Sequence, residues 1–547
     1  MITLRAADVH FSFPGRSILR GADCELQHDQ VYGLIGANGS GKSTLLRLFL
    51  GEFKSDSGTV LRDKALKCAY LTQEVTLDLQ ESAFESVLAG AEDVRALEHK
   101  LKAIEAQFSD PVILASEKRL TRLIDEQQHA LEEYTRLGGP GMEGHVLSLL
   151  RSLGFPDEEM DLPVGKLSGG QKKLIGIARL MLRRPDVLLL DEPDNHLDLD
   201  SKSLLERLIR TFNGTVVIVS HDRYFLDMVT DSILEFEAGK LTQFEGSYSE
   251  YIFDKQLKKA RQAQLYQVQQ HEITRLEQSA KRLLTWGAVF DNPKFIKRGQ
   301  SMLKRLEKID RIEKPVEEAK RLEISLGGWS GSRRVLRVQN AGKSFETELG
   351  RSTLLQGIDL ELWHGERVGL IGPNGVGKSV LVKMILGELP LDEGEIELGP
   401  SVRAAYYSQE FETLDPALTL LDTVGKAGNF NESRSVAFLR KFGFDYSQCG
   451  TVVGALSGGE RARLQIALMT LSGANFLILD EPTNHLDIPS SEVLEEALLD
   501  FAGTILAVSH DRYFLDRIAR RVVELRSKSA VSYVGNYSDF LEQSRNR

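Results

Sequence analysis

Short apolar segments that lead into a glycine-rich loop or a carboxylate recur along the chain. VYGLI at residues 31–35 precedes the loop GANGSGKS, and TLLRLFL follows it, which predicts a strand, a loop and the start of a helix. Residues 187–190 and 476–479 are continuous apolar runs followed by an aspartate, a pattern typical of a strand buried in a parallel sheet. The pattern therefore predicts an α/β fold.

The same patterns occur twice because the chain contains an internal duplication. SHDRYFLD, LSGG and DEP(D/T)NHLD each occur in two copies that lie 289 residues apart. The glycine-rich loops that begin at Gly36 and Gly372 lie 336 residues apart, so the first repeat holds 47 additional residues. We place the first repeat at residues 1–254 and the second at residues 331–547.

The additional residues of the first repeat have a helical composition. Residues 81–137 are rich in Ala, Leu, Glu and Lys and contain only one proline, Pro111. This composition predicts two helices packed as an antiparallel hairpin, inserted at about residues 80–138.

The sequence between the repeats, residues 255–330, predicts that this linker forms a second helical hairpin. Apolar residues recur in it at helical spacing. They are Ile273, Leu276, Ala280 and Leu283, then Met302, Leu306 and Ile309. Gly287, Asn292 and Pro293 break the pattern and predict a turn at the tip, and Pro315 is expected to stop or kink the second helix.

Charge distinguishes this linker from the rest of the chain. The 68 basic and 79 acidic residues give a net charge of −11, which taken alone argues against a nucleic-acid-binding protein. Residues 255–321, however, contain 10 Lys and 7 Arg against 8 acidic residues, so this segment carries +9 and the remainder −20. A helical spacer, the alternative for this segment, would have nearly balanced charges, so the excess favours contact with nucleic-acid phosphates.

Cysteine usage and hydropathy restrict the cellular setting. The three cysteines, Cys24, Cys68 and Cys449, are too few and too scattered for a disulfide framework or a zinc site, as expected in a reducing cytoplasm. The N-terminus lacks the pattern of a signal peptide, and no apolar run approaches the ~20 residues that span a bilayer. We expect a cytoplasmic protein without a membrane domain.

The two glycine-rich loops have the sequence and context of phosphate-binding loops. Glycines let consecutive backbone N–H groups face the phosphates, the lysine neutralises the β- and γ-phosphate oxygens, and the following serine is a Mg²⁺ ligand. A chance glycine-rich turn is excluded because the motif recurs in both repeats. The nucleotide-binding residues predicted here are Gly36, Asn38, Gly39, Gly41, Lys42, Ser43 and Thr44 in the first repeat and Gly372, Asn374, Gly375, Gly377, Lys378, Ser379 and Val380 in the second.

Each predicted buried strand ends in an acidic pair. Asp191 and Asp480 would hold Mg²⁺ together with Ser43 and Ser379. The next residues, Glu192 and Glu481, are placed to orient the water that attacks the γ-phosphate or to accept its proton.

With LSGGQ and LSGGE ahead of the acidic pairs, the whole chain resembles the ATP-binding cassette (ABC) ATPases. The resemblance implies two tandem ABC-type P-loop ATPase domains joined by a long α-helical hairpin, which hydrolyse ATP to ADP and phosphate. It also implies two ATP and two Mg²⁺ ions in a head-to-tail sandwich, in which each signature loop closes the opposite site. Ser457, Gly458 and Gly459 would then cap ATP at Lys42, and Ser168, Gly169 and Gly170 would cap ATP at Lys378.

The same resemblance assigns further residues. Gln73 and Gln409 match the family's Q-loops, which reach the nucleotide and the metal, and His221 and His510 match its γ-phosphate-sensing histidines. Phe13 and Phe345 lie where the family stacks an aromatic ring on adenine. A core phenylalanine at the end of a strand is an equally good interpretation of both.

Two fused cassettes, NHLD, SHDRYFLD and a basic helical linker resemble the ABC-F subfamily of ribosome-associated translation factors, some of which protect ribosomes from antibiotics. The resemblance implies a monomer whose linker enters the ribosomal E site and approaches rRNA and the P-site tRNA. The tip residues implied are Trp286, Phe290, Lys294, Phe295, Lys297 and Arg298. Aromatic rings that pin the hairpin's own turn are the alternative for the tip.

Two other function classes remain to be weighed. A soluble ATPase subunit of a separate membrane transporter would share the cassettes but would have no role for the linker. A DNA-repair or chromosome-associated cassette protein usually carries zinc modules or very long coiled coils, which this sequence lacks.

The sequence departs from the family at one position in each repeat. Asp194 stands where Thr483 occupies the equivalent position of the second repeat. A carboxylate two residues from Glu192 could raise the pKa of that glutamate or alter Mg²⁺ binding, so we expect the two sites to hydrolyse ATP unequally. Val380 replaces a usual threonine, at little cost because Ser379 is the expected metal ligand.

Overall fold

The computed structural model describes residues 2–63, 66–73, 75–108, 117–290, 292–308, 332–347, 350–407, 414–456, 458–484, 486–526 and 529–545. The chain divides into two compact units. One comprises Met1–Ser247 and Leu322–Arg547, which contain both repeats, and the other comprises Tyr248–Arg321. We refer to the two halves of the first unit as the first and second cassettes.

The described residues of the first cassette form nine strands: β1 (Ile2–Phe13), β2 (Arg16–Gln27), β3 (Val31–Ile35), β4 (Ser57–Arg62), β5 (Cys68–Leu71), β6 (Val187–Asp191), β7 (Thr215–Val219), β8 (Ser232–Glu237) and β9 (Lys240–Glu245). Its described helices are Lys42–Leu50, Ala83–Leu88, Glu92–Gln107, Glu117–Arg136, Met142–Ser152, Asp157–Met160, Gly169–Leu182, Leu199–Arg210 and Arg223–Val229. Short 3₁₀ turns lie at Gly139–Gly141 and Val164–Lys166.

The second cassette repeats this order with strands β10 (Arg334–Thr347), β11 (Gly350–Trp363), β12 (Arg367–Ile371), β13 (Glu393–Leu398), β14 (Ala404–Tyr407), β15 (Phe476–Asp480), β16 (Thr504–Val508), β17 (Arg521–Arg526) and β18 (Ser529–Val534). Its described helices are Lys378–Ile385, Leu420–Gly428, Glu432–Lys441, Gly458–Leu471, Ile488–Leu499, Arg512–Ile518 and Tyr537–Arg545. Short 3₁₀ turns lie at Tyr446–Gln448 and Val453–Ala455. The predicted duplicated α/β architecture is confirmed.

Each cassette pairs a six-stranded sheet with a three-stranded antiparallel sheet. The large sheets have the orders β5-β6-β7-β3-β8-β9 and β14-β15-β16-β12-β17-β18, parallel except for the last strand of each. Successive residues of β6 face two different cores, since Val187 and Leu189 pack with the small sheet whereas Leu188 and Leu190 pack with the helices. Burial on both faces explains the continuous apolar runs of the sequence.

The parallel topology brings the sequence motifs to one edge of each sheet. Neighbouring parallel strands end at the same edge, which is where ligands bind in such folds. In the first cassette β3 ends before the loop at Gly36, β6 ends at Asp191, and β7 ends just before His221. The fold therefore gathers residues that lie up to 185 positions apart in the sequence.

The insertion of the first cassette forms the predicted helical hairpin. Glu92–Gln107 packs against Glu117–Arg136 through Ile104, Leu123 and Ala130. The Tyr134 hydroxyl donates to Oε1 of Glu98 at 2.9 Å, so the end of the second helix lies beside the start of the first. This arrangement confirms an antiparallel pair, and Pro111 lies outside the described residues.

The second unit is a hairpin of two unequal helices, Tyr248–Val289 and Pro293–Glu307. The predicted apolar face is its buried seam, in which Ile273, Ala280 and Leu306 are each less than a tenth exposed. The helices approach closely at Gly299, where an added Cβ would lie 2.8 Å from Cγ of Leu284. Ile309 and Pro315 lie outside the described residues.

The predicted break at Gly287 is wrong. The first helix continues through Gly287 to Val289, because one glycine costs a helix only about 1 kcal/mol. The turn begins after that point, where the Asn292 side chain caps the second helix by accepting from the Lys294 N–H and Pro293 takes its first position. Lys294, Lys297 and Arg298 consequently lie on a helix rather than in a loop.

None of the helices in the described part of the chain combines the length and apolar character needed to cross a membrane.

Candidate nucleotide sites between the cassettes

The two glycine-rich loops adopt a backbone that only glycine accommodates at their last position. Gly41 has φ of 116° and Gly377 has φ of 106°, in the left-handed region. A Cβ added at Gly41 would lie 2.3 Å from Cγ2 of Ile18, and one at Gly377 would lie 2.9 Å from Cδ2 of Leu355. Each loop is therefore packed tightly on the strand beneath it and turns directly into a helix.

The loop lysines are buried at equivalent positions. Nζ of Lys42 donates to the carbonyl oxygens of Gly36 and Ala37 at 2.8 and 3.1 Å, and Nζ of Lys378 makes the same pair of contacts at 2.8 and 3.0 Å. Burial lowers the pKa of both ammonium groups, although neighbouring carboxylates partly oppose this. A bound phosphate group would provide a counter-charge for each of these buried ammonium groups.

Asp191 and Asp480 end their strands with almost no exposure. The Tyr70 hydroxyl donates to Oδ2 of Asp191 at 3.2 Å, and the Tyr406 hydroxyl lies 3.5 Å from Oδ2 of Asp480. Ser379 also donates to Asp480, which brings the two predicted metal ligands of the second cassette together. Each aspartate is thus held in place by a tyrosine on the neighbouring strand.

The glutamates that follow have strained backbones. Glu192 has φ of 50° and Glu481 has φ of 47°, values that non-glycine residues adopt mainly where the fold enforces them. Oε2 of Glu192 accepts from Nε2 of Gln73 at 2.8 Å and from Nδ2 of Asn195 at 2.5 Å. Gln73 and Glu192, predicted from distant motifs, therefore share a hydrogen bond.

Burial raises the pKa of both glutamates. For Glu481 burial, reinforced by Asp480, brings the pKa to about 7, whereas Glu192 rises in the same direction because of burial and the adjacent Asp191. The groups that affect the pKa of Glu192 most strongly, after burial, are Asp191, which raises it, and Lys42 and Lys173, which lower it. Carboxylates with raised pKa values are suited to accept a proton near neutral pH.

The histidines lie beside these glutamates. Nε2 of His221 is 3.9 Å from Oε1 of Glu192, and Nε2 of His510 is 3.6 Å from Oε1 of Glu481. The backbone N–H of His510 also donates to Oε2 of Glu481 at 3.2 Å. Burial, with Lys42 nearby, lowers the pKa of His221 to about 3, and burial likewise lowers that of His510, so both imidazoles are neutral.

Each glycine-rich loop also contacts the opposite cassette. The N–H of Asn38 donates to Oδ2 of Asp487 at 3.1 Å, and the N–H of Asn374 donates to Oδ2 of Asp198 at 3.0 Å. Nδ2 of Asn374 additionally donates to the carbonyl of His196 at 2.9 Å. These reciprocal contacts arrange the cassettes head to tail, so each site is built from both halves of the chain.

The signature loops lead into equivalent helices of the two cassettes. Ser168 caps the helix Gly169–Leu182 by accepting from the Gln171 N–H, and the space around Gly169 is open, with no atom within 4 Å of an added Cβ. Gly170 lies against the carbonyl of His196. Gly458 and Gly459 begin the equivalent helix of the second cassette, whereas Ser457 lies outside the described residues, as does Gln409.

Phe13 and Phe345 are 43% and 39% exposed, which does not fit core residues. Phe13 lies at the end of β1 and lines a cavity of about 490 Å³ that also contains Lys42, Glu192 and, from the second cassette, Asn484. A purine ring could stack on Phe13 while its phosphates reach Lys42, so the geometry favours the nucleotide interpretation for this residue.

The described residues fit ATP with a divalent cation. Among them, Oδ1 of Asp480 and Oε1 of Glu481 are buried oxygens without a hydrogen-bond partner. Carboxylate oxygens of this kind can coordinate Mg²⁺ or accept hydrogen bonds from its water ligands. Ser43 and Thr44 lie with Ser379 and Val380 in the first turns of their helices, where the helix N-terminus favours phosphate.

Sequence reasoning missed the residues that join the cassettes. Arg223 pairs with Glu495, which is fully buried, and Arg512 pairs with Glu206 at 2.5 Å. The signal was present, because the arginine occurs in both copies of SHDRYFLD and the glutamate recurs at the same spacing. Its partner could not be inferred, since the pairing crosses about 300 residues of sequence.

Comparison with known proteins agrees with this architecture. A family profile described as "ABC transporter" matches residues 19–195 and 355–484, and a second profile with the same description matches residues 234–324. The chain is 36% identical to the putative ATP-binding protein YdiF of Bacillus subtilis over 99% of this chain and 83% of that protein. It is 34% identical to ABC transporter F family member 5 of Arabidopsis thaliana over 99% of this chain and 77% of that protein.

A third relative is the energy-dependent translational throttle protein EttA of Escherichia coli K12, 35% identical over 97% of this chain and 93% of that protein. Duplicated cassettes, both acidic pairs and full-length similarity to named F-family members agree with one another. The chain is an ATPase of the ATP-binding cassette family and belongs to its ABC-F subfamily.

Proposed function

We propose that this protein is a cytoplasmic, monomeric translation factor that binds the ribosome and inserts its helical hairpin near the E site when its cassettes hold ATP. The proposal is supported by membership of the ABC-F subfamily and by the similarity to EttA, whose name describes an energy-dependent throttle of translation. The single observation that carries it is the basic hairpin with exposed aromatic side chains at its end.

The cassettes would provide the ATP-dependent step at two equivalent places. Lys42 and Lys378 bind the β- and γ-phosphates, and Asp191 and Asp480 hold Mg²⁺, which polarises the γ-phosphate when bound. Glu192 and Glu481 orient the attacking water and accept its proton, for which their raised pKa values suit them. The neutral imidazoles of His221 and His510 lie where they can contact the γ-phosphate.

The signature loops would complete these sites. Gly169 faces open space at the start of its helix, so a γ-phosphate could approach the helix N-terminus without a clash. We assign Ser168, Gly169 and Gly170 to ATP at Lys378, and Ser457, Gly458 and Gly459 to ATP at Lys42. The reciprocal contacts of Asn38 and Asn374 with the opposite cassettes support this head-to-tail assignment.

The hairpin would provide the contact with RNA. Trp286 and Phe290 lie at the end of the long helix and are 49% and 68% exposed, so they are available to stack on unpaired bases and do not serve mainly to pin the turn. Lys294, Lys297 and Arg298 are exposed on the next helix, where they can reach phosphates of rRNA or of P-site tRNA. Phe295 is half-buried, so it can pack within the hairpin and also contact RNA.

Trapping the ATP-bound state tests the proposal. The double variant Glu192→Gln, Glu481→Gln should bind ATP, fail to hydrolyse it and cosediment with ribosomes in an ATP-dependent manner. Adding Lys42→Ala and Lys378→Ala should abolish cosedimentation, which controls for nonspecific attachment. A trapped protein that stays in the ribosome-free fraction with ATP present contradicts the proposal.

A second experiment separates the ribosomal function from a transporter subunit. The variant Trp286→Ala, Phe290→Ala should keep its ATPase activity without ribosomes. When the same two changes are added to the trapped Glu192→Gln, Glu481→Gln protein, its effect on translation in vitro should be lost. A transporter subunit would be indifferent to these two residues and would instead fractionate with a membrane partner. Growth with and without a panel of ribosome-targeting antibiotics then shows whether protection against a drug is part of the role.

A further inference from the structure

The two cassettes differ in their buried charges at the interface. The first carries Asp194 and Lys202, and the second carries Thr483 and Ser491 at the positions 289 residues later. Asp194 and Lys202 are 4% and 7% exposed. Replacing Asp194 and Lys202 by the threonine and serine of the second cassette would remove one acidic and one basic group. The net charge of the interface would therefore stay the same.

Lys202 joins the first cassette to the catalytic loop of the second. It lies in the first turn of the helix Leu199–Arg210. Asp198, the residue just before this helix, accepts a hydrogen bond from the second glycine-rich loop. Nζ of Lys202 donates to Oδ2 of Asp222 at 2.6 Å and to the carbonyl oxygen of His510 at 3.0 Å. One ammonium group therefore bridges the two cassettes.

The contact continues to the proposed catalytic base of the second site. The peptide N–H of His510 donates to Oε2 of Glu481 at 3.2 Å, while the carbonyl of the same residue accepts from Lys202. The position of His510 is thus fixed from both ends, by Lys202 of one cassette and Glu481 of the other. A serine at the equivalent place, Ser491, has too short a side chain to span the same distance toward His221.

Surrounding carboxylates explain why a lysine is stable in this position. Burial alone would lower the pKa of Lys202, but Asp222, Asp194 and Asp511 together raise it above its ordinary value, so the group is charged. In turn Lys202 lowers the pKa of Asp222 against the effect of burial. The charged side chain is held by its neighbours and has little freedom to leave the His510 carbonyl.

We propose that Lys202 is a positioning residue of the second ATP site. It adds to the reciprocal contacts one further dependence of second-site hydrolysis on the first cassette, which the described residues do not repeat in the reverse direction. Lys202 holds the His510 segment so that its imidazole and the Glu481 carboxylate face the γ-phosphate together. The proposal rests on the ATPase activity and on the site assignment given above, and it is independent of ribosome binding.

The test isolates each site in the full-length protein without ribosomes. Glu192→Gln leaves only the second site active, and Glu481→Gln leaves only the first. In the Glu192→Gln background, Lys202→Ser should lower kcat by about 10- to 100-fold, the range typical of residues that orient a reacting group, and leave the KM for ATP within about threefold. In the Glu481→Gln background, kcat should change less than about twofold.

Three matched variants distinguish positioning from folding. Asp194→Thr with Lys202→Ser gives the first cassette the pair found in the second, keeps the net charge, and should show the same defect at the second site alone. If Lys202→Ser does not fold, this double variant carries the test. Lys202→Arg should restore most of the turnover, and Ser491→Ala should leave the first site unchanged.

Two results for the Lys202 variants would overturn the proposal, and a third result would overturn the site assignment on which it rests. One is an equal loss of kcat in both backgrounds, which indicates a general structural role. The other is normal second-site turnover in the folded double variant. If Glu192→Gln with Glu481→Gln still hydrolyses ATP, the assignment of the glutamates fails and the proposal fails with it, whereas the ribosome-binding result is a separate measurement.

Discussion

The arginines that join the cassettes differ in how much stability they should contribute. Arg512 pairs with Glu206 at 2.5 Å and donates to the Leu199 carbonyl and the Ser203 hydroxyl at 3.1 and 3.0 Å. Arg223 pairs with Glu495, but that glutamate also accepts from Arg517 of its own cassette at 2.7 Å. Replacing either arginine with methionine keeps part of the packing and removes the charge.

The second cation at Glu495 determines the expected magnitudes. Arg512→Met leaves Glu206 buried and without its partner cation, and removing one member of a buried pair typically costs about 3–5 kcal/mol. Arg223→Met leaves Glu495 paired with Arg517, so the loss should be near that of charged hydrogen bonds, about 1.5–3 kcal/mol. We expect Arg512→Met to destabilise the protein more, by at least ~1 kcal/mol.

Urea unfolding of the full-length chain, followed by far-UV circular dichroism, measures this difference. Arg136→Met is the control, because Arg136 is 76% exposed and its contact with Glu133 should contribute less than about 1 kcal/mol. Adding Arg517→Met to Arg223→Met removes both cations from Glu495 and should bring the cost to that of Arg512→Met. Equal losses for the two single variants, or losses no larger than the control, would refute the reasoning.

Three further predictions concern the sites and the hairpin. Acid should destabilise the protein through His221, whose pKa is 6.5 when unfolded and about 3 when folded, because only the unfolded form gains its proton as the pH falls below 6.5; this costs about 2 kcal/mol at pH 5. His221→Asn should remove that part of the difference in urea stability between pH 7.5 and pH 5. Gly41→Ala should prevent binding of a fluorescent ATP analogue at the first site, since its Cβ would meet Ile18, and measured affinity at the second site should be retained. Trp286→Ala and Phe290→Ala should change the midpoint of thermal unfolding by less than a few degrees, because both side chains are largely exposed.

The sequence predicted the architecture because the relevant signals are local. VYGLI became β3, the two acidic pairs lie at the ends of β6 and β15, and the apolar face through Ile273 and Ala280 became the seam of the hairpin. In each case the residue types within one short segment indicate which of its side chains are buried. Duplication strengthened the predictions, since a coincidence in one copy would not recur in the other.

The remaining features depend on tertiary contacts that no local pattern encodes. Gly287 has the residue type of a helix breaker, yet the helix continues through it because one unfavourable residue is outweighed by 41 others. The residue type of Asp194 predicts an effect at Glu192. The structure shows in addition that Asp194 lies near Lys202, a residue that belongs to no motif and whose role follows only from its contacts with Asp222 and His510.

The interface therefore contains two kinds of contact with different consequences. The arginine pairs and the aspartate contacts to the glycine-rich loops occur once in each direction, so they stabilise the sandwich without distinguishing its two sites. Among the described residues the Lys202 contact occurs in one direction only, and through it we propose that the second site depends on the first cassette. Asp194 lies in the same cassette, so the exchange of Asp194 and Lys202 for threonine and serine removes the asymmetry and keeps the net charge, but it also removes the ion pair of Lys202 with Asp222. The turnover of each site in the paired variant, measured beside its urea stability, therefore separates the asymmetry of this ATPase from the cost of that lost pair.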